Sequence, residues 1–523
     1  MPVIQRLATG GARGFGLGVG GVGYSAIISE SASISDSVNW GTPYQGNISE
    51  VAFGADTTNS EFGNNYWISN YAYATTGNAE TGYSSTVDSD DNIYVVGSGN
   101  TAGVTSAVLL YKYNSNGVMQ WNRLISDTTS ASSDDIGFGV AVDSSQNVYV
   151  TGVFNLGNIS DAGYRRVMLL KFDSSGNKLY EKGLRNTTTS TTSTGYDIVL
   201  DSSGNIYTTG NMGTQLLLVK YDNSGTIQWI YRLANEASSL GSSVGRTIRI
   251  NSSGDLVISG QKGIVGPSTG VSYAIPFIAI FDTAGNLLSQ KRLVRTTGTL
   301  GTEDSEAYSM TLDVSDNIYQ TGYVGEGVGA GVNAPYVVKY DSSGNFVWGK
   351  AFQNSTTAGN YPASGVAVDN AGNIYFAFTD RYTYDSYIIV KLDSSGTLQW
   401  SNQISAVGDF GISSNTSFYR NVLYLNSDED LVFVGVMVSS VAPAIPTSTF
   451  TFKLPKDGSK LGTYTVGPWG QPITYASVSL TTYTLFWTTT NASGSVNTPT
   501  YTAPAEADVI AYTPPETATT VYI

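Results

Sequence analysis

The chain has 523 residues, 41% hydrophobic and only 13% charged, with 59 Gly and 35 Tyr, a profile that fits a turn-rich all-β protein. Its net charge of −15 disfavours nucleic acid and anionic membrane surfaces as partners, because both are held through Lys and Arg. It contains no Cys and no His, which excludes disulfides, thiolate or imidazole metal sites, Cys nucleophiles and imidazole bases.

Residues 1–65 open with MPVIQRLATGGARGFGLGVGG. Arg6 and Arg13 precede a Gly-rich stretch rather than the apolar core of a secretory signal. The arm is too poor in apolar side chains to build its own core, so it is expected to be an anchoring segment or a disordered tail. No stretch of the chain has the length and apolarity of a membrane-spanning helix. Next, NNYWISNYAYATTG (64–77) reads as one isolated strand, its Trp67 matching Trp121, Trp229, Trp348 and Trp400 of later segments. Such a strand can close a ring of repeats by docking on the last one, alongside or instead of 461–466.

The repeats follow. VDSDDNIYVVG (87–97), VDSSQNVYVTG (142–152), LDSSGNIYTTG (200–210), INSSGDLVISG (250–260), LDVSDNIYQTG (312–322), VDNAGNIYFAF (368–378) and LNSDEDLVFVG (425–435) are seven copies of one hairpin. Their second residues, Asp88, Asp143, Asp201, Asn251, Asp313, Asp369 and Asn426, lie 50 to 62 residues apart. A second hairpin alternates with the first, as in LLVKYDNSGTIQW and IIVKLDSSGTLQW. Four strands per repeat and seven repeats predict an all-β fold, a seven-bladed β-propeller over 66–466. Continuous apolar runs such as Leu216–Val219 suit strands covered on both faces.

The hairpin resembles the SBBP-type β-propeller repeat, with its "vDssGNiYvtG" core, over residues 84 to about 466. Phe378, in place of the final Gly, and Pro455, in the last second hairpin, depart from it. The opening MPVIQRLATGGARGFGLG resembles the N-terminal leader of bacteriophage virion structural proteins, tail-fibre-like ones included. That resemblance implies a peptide docking on the particle, with Arg6, Arg13 and Phe15 as anchoring candidates.

Hairpin turns of both kinds fall on one face of such a ring and are short. The remaining connections fall on the other face and vary, with 261–275, 323–334 and 436–448 as long loops. Variable loops on a rigid scaffold are where recognition surfaces are built. They carry Tyr164, Tyr273, Tyr323, Tyr361, Tyr382 and Tyr384, candidates for contact with sugar or protein, or else for packing the loops onto the ring. The oxygens of Asp88, Asp90 and Asn92 have the spacing of a calcium loop but lack its Gly and Glu, and Asx-turn chemistry explains them better. Asp134–Asp135 and Glu303–Asp304–Glu306 are the acidic clusters a glycosidase would need, yet loop neighbours read first as solvated charge. Lys112, Lys171, Lys220, Lys339, Lys391 and Lys453 recur once per third strand, Ile280 taking the seventh place. Each is expected to pair with an acidic neighbour and lay its stem along the blade.

Residues 467–523 hold no Lys or Arg and are rich in Thr, Tyr and Pro. They read as a small β extension for docking or oligomer contact, with TTVYI able to extend a neighbouring sheet edge. The whole points to a non-enzymatic virion component without cofactor or metal: a fibre, tail or head-decoration protein in an extracellular particle. Its partners would be other virion proteins, host surface glycan and other copies of itself. A polysaccharide depolymerase and a cellular surface scaffold are the alternatives.

Overall fold

The computed structural model describes residues 66–73, 80–101, 104–127, 135–155, 165–186, 192–233, 242–265, 272–295, 305–325, 333–353, 363–380, 386–406, 410–412, 422–439, 448–466, 471–484, 487–491, 496–497, 501–502, 509–512 and 516–522. The arm 1–65, with Arg6, Arg13 and Phe15, lies outside them, as do Tyr164, Tyr361, Tyr382 and Tyr384.

Seven antiparallel sheets form a ring, one per repeat. The first strands are Glu80–Val87, Ile136–Val142, Ser193–Leu200, Val244–Ile250, Ser305–Leu312, Ala363–Val368 and Leu423–Leu425. They pack on one another around a central channel. Strands two and three of each blade carry the apolar runs, and Leu216, Leu217, Leu218 and Val219 are buried on both faces.

The repeat motif folds locally through its second residue. Asp201 Oδ1 accepts the backbone N–H groups of Ser203 and Asn205, both at 2.9 Å, and Oδ2 accepts the Asn205 amide at 2.7 Å and the Tyr207 hydroxyl at 3.0 Å. The carboxylate thus spends its lone pairs within the turn. The Tyr hydroxyl bond recurs at Asp88, Asp143, Asp313 and Asp369. In the fourth and seventh copies the Tyr is replaced by Val257 and Val432, and the Asp by Asn251 and Asn426. Acid and hydroxyl are lost together.

Adjacent blades are tied at these turns. Asp91, Gln146, Asp316 and Glu429 hold φ of 60 to 63°, which costs a residue with a side chain roughly 1–2 kcal/mol. Gly204, Gly254 and Gly372 occupy the same place in the other three copies. All four non-glycine residues reach a neighbouring blade. Asp91 accepts from Ser427 N–H at 3.0 Å, Asp316 from Ser252 N–H at 2.9 Å and Glu429 from Asn370 N–H at 2.8 Å, while Gln146 donates to Asp90 at 2.6 Å. The inter-blade hydrogen bond offsets the local strain.

A second tie links each outer strand to the next blade. Trp121 lies against Gly176, Trp348 against Gly396 and Trp400 against Gly458, all glycines of second-hairpin turns with positive φ. Trp67 completes the set. Strand Trp67–Tyr73 pairs antiparallel with Ser448–Leu454 as the fourth strand of blade seven, closing the ring in place of 462–466. The Trp67 side chain is wholly buried. Its indole N–H donates to the Ser115 carbonyl at 3.1 Å, and a Cβ on Gly117 of blade one would collide with its ring.

Residues 462–522 form no sheet of their own among the described residues. They run backwards round the rim, adding an outer strand to every blade. Gln471–Ser477 extends blade six, Thr481–Thr484 blade five, Trp487–Asn491 blade four, Val496–Asn497 blade three, Tyr501–Thr502 blade two and Val509–Tyr512 blade one. Glu516–Tyr522 then pairs with Trp67–Tyr73 in blade seven. The sheet edges they extend are the chain's own. The belt pairs with part of the edge that each blade's fourth strand presents, over as few as two residues in blades two and three.

Candidate ligand-binding collar at the channel mouth

The inner strands share an irregularity. In blades one to six the pairing slips by one residue near the start of the strand, between Gly82/Ser84, Gly137/Gly139, Gly195/Asp197, Gly245/Thr247, Ala307/Ser309 and Ala363/Gly365. The inserted residues are Tyr83, Phe138, Tyr196, Arg246, Tyr308 and Ser364. A bulge turns its extra side chain out of the ladder. These bulges lie at the strand ends that face the variable connections. The final Gly of the repeat motif stands opposite: a Cβ on Gly97 would come 2.8 Å from the Thr81 carbonyl carbon, so the motif glycine makes room for the bulge.

The bulged side chains of five consecutive blades form a collar. Ring centroids of Tyr83 and Phe138 are 5.6 Å apart, and those of Phe138 and Tyr196 5.4 Å. The Arg246 guanidinium carbon lies 5.0 Å from the Tyr196 ring and 5.6 Å from that of Tyr308. Phe138 and Tyr308 are buried, whereas Tyr83, Tyr196 and Arg246 are half-buried. Burial raises the Tyr83 hydroxyl pKa, opposed by hydrogen bonds with Ser98 and Thr81. Arg246 reaches Gln261 at 3.2 Å and Glu306 at 3.5 Å.

Below the collar the channel encloses about 480 Å³ lined by all seven blades. Asp197 and Arg249 form its ion pair, at 2.8 Å. Asp197 also accepts the backbone N–H groups of Ile198 and Ile248, both at 3.0 Å, and so clamps blade three to blade four.

Of the tyrosines singled out in the sequence, Tyr323 sits on strand Ile318–Val324, its ring 5.9 Å from Tyr308, and backs the collar. Tyr273 lies in strand Ser272–Phe281, opposite Ile264. The expected loop 261–275 is thus largely hairpin, its strands running to Val265 and from Ser272. In the acidic clusters Asp134, Glu303 and Asp304 lie outside the described residues. Asp135 is buried, and Glu306 joins Arg246 at the collar. The collar residues were missed, although an aromatic five positions before the repeat Asp recurs at Tyr83, Phe138, Tyr196 and Tyr308.

On the turn face, Lys112, Lys171, Lys220, Lys339 and Lys391 lie 4.9–5.2 Å from the ring centroids of Tyr94, Tyr149, Tyr207, Tyr319 and Tyr375. The expected acidic partner is present at Lys339, 3.9 Å from Asp313, and at Lys453, 3.7 Å from Asp430. Elsewhere the ring takes much of that role. Burial pushes the Asp143, Asp201, Asp313 and Asp369 carboxyls up, but their turn hydrogen bonds outweigh it and hold them below the usual value. Ionisation of these groups therefore stabilises the fold above about pH 4, and that share is lost as pH falls through their depressed values. Burial raises the Asp430 pKa despite Lys453 and Tyr66, an effect of opposite sign. The expected result is a urea midpoint that drops between pH 5 and pH 3, with a shallower drop in Asp201→Asn. An unchanged midpoint across that window would refute the assignment.

The β-propeller repeat family (SBBP) matches residues 120–153, the outer strand of blade one and the first hairpin of blade two. No curated relative matches the sequence. Solved structures similar to this chain include a protein of unknown function from Dyadobacter fermentans DSM 18053, at 8% identity and TM-score 0.41, covering 74% of this chain and 98% of that one. An ulvan lyase has 13% identity and TM-score 0.48, covering 74% and 96%. A NanB sialidase from Streptococcus pneumoniae has 10% identity and TM-score 0.37, covering 73% and 70%.

Proposed function

We propose that this chain is a non-enzymatic recognition and structural component of a bacteriophage particle, a fibre, tail or head-decoration protein. Its disc presents the collar to a saccharide of the host surface, and residues 1–65 join it to other virion proteins. The observation that carries the reading is the collar itself, four aromatic rings and one guanidinium set by backbone bulges at the mouth of a channel. Of these, the half-buried Tyr83 and Tyr196 offer flat area for the apolar faces of sugars, and the buried Phe138 and Tyr308 hold them in place. The low charge, the missing His and the leader-like N-terminal sequence support the non-enzymatic, virion part.

A second reading, a polysaccharide depolymerase, is favoured by one feature: Glu306 stands at the collar beside Arg246. Incubation of the purified protein with host envelope polysaccharide separates the two. Reversible binding, weakened at least about tenfold in Tyr196→Ala, is expected. Release of new reducing ends would instead establish the enzyme. Antibody labelling of purified particles checks the location, and its failure there would remove the viral part.

A further inference from the structure

Arg246 is the only charged residue among the five contiguous collar positions, which otherwise hold Tyr83, Phe138, Tyr196 and Tyr308. It is also loosely held. Arg123 is fixed by three carbonyls at 2.6–2.9 Å, and Arg249 by Asp197 and the Ile248 carbonyl at 2.8 and 2.6 Å. Beside its two ring contacts Arg246 has hydrogen bonds only at 3.2 and 3.5 Å, and its Nε is buried with no hydrogen-bond partner among the described residues. A guanidinium with unused donors, flanked by Tyr196 and Tyr308, is suited to a planar carboxylate carried on a ring that can stack beside it. We propose that the collar selects saccharides bearing a carboxylate, the class of hexuronic acids, with Arg246 receiving the carboxylate and Glu306 competing for it.

This rests on the recognition reading above and specifies its ligand. The chain as a whole carries −15 and repels anions at long range. A preference for the acidic form must therefore be local, which makes Arg246 its decisive test. The probes are hexuronate oligosaccharides and the same oligosaccharides with their carboxylates methyl-esterified, titrated calorimetrically into the full chain. The free acid is expected to bind about tenfold more tightly than the ester. Arg246→Gln should bring the two affinities together, weakening the acid about tenfold more than the ester, its fold checked by its melting curve. Glu306→Gln should tighten the acid several-fold, a gain that simple structural damage does not produce. Equal binding of acid and ester by the unaltered chain overturns this inference and leaves the recognition reading standing. Binding of neither form overturns both for this class of sugar. An acid preference that survives Arg246→Gln, or a Glu306→Gln affinity that does not rise, assigns the carboxylate elsewhere and also overturns it.

Discussion

Replacement of Trp67 by alanine is expected to lower stability by about 3–5 kcal/mol, the cost of emptying a buried indole site. The indole is wholly buried, joins a cluster that includes Tyr113, Tyr387, Phe433 and Phe450, and donates to Ser115 across the blade seven–blade one interface. Losing it removes the anchor of a strand that blade seven holds through its pairing with Ser448–Leu454 and Glu516–Tyr522 rather than through a hairpin of its own. Trp121 makes the same kind of contact between blades one and two but is half-buried, so Trp121→Ala should cost clearly less. Urea denaturation of both variants measures the difference. In Trp67→Ala, hydrogen exchange should accelerate first in strands 67–73 and 448–454. Equal losses in the two variants would mean that closure carries no special weight.

The second large effect is expected at Asp197. Its side chain is 3% exposed against 28% for Arg249, and it satisfies two backbone N–H groups besides the guanidinium. Asp197→Ala leaves two backbone donors unsatisfied and removes the anion beside Arg249, whose guanidinium keeps the Ile248 carbonyl, and should cost about 3–5 kcal/mol. Asp197→Ala combined with Arg249→Met should recover part of that loss, since the cation goes too and only the backbone donors stay unpaired. Denaturation midpoints of the single and double variants decide it. A double variant that is weaker by the sum of both single losses would show that the two groups do not act as a pair.

The ring was legible in the sequence because each blade repeats the same turn. An Asp or Asn that bonds its own backbone, then an alternating apolar strand, leaves a local record at 50 to 62-residue spacing. Trp67 was legible for a similar reason: it copies the outer-strand tryptophans, so its place could be read by analogy. The collar was not, because a bulge adds one residue without changing composition, and Gly-Tyr or Gly-Phe reads as ordinary strand. Nor was the belt's partner. Edge pairing runs through backbone N–H and C=O groups that every residue carries, so Thr481–Thr484 reveals that it is a strand but not that it borders blade five. The four latching residues at positive φ were hidden too, since a broken Gly in a motif looks like drift until its contact across the blades is seen.

Pairing of the first and last strands gives the molecule a polarity. Trp67 stands opposite Tyr522, and the Tyr66 hydroxyl reaches Asp430 at 3.2 Å in a first-hairpin turn. Tyr66 and Tyr522 therefore lie together, on the side of the disc away from Tyr83, Tyr196 and Arg246. A tether attached there would hold the propeller like a dish on a stalk, its mouth aimed outward, whatever the tether is fastened to.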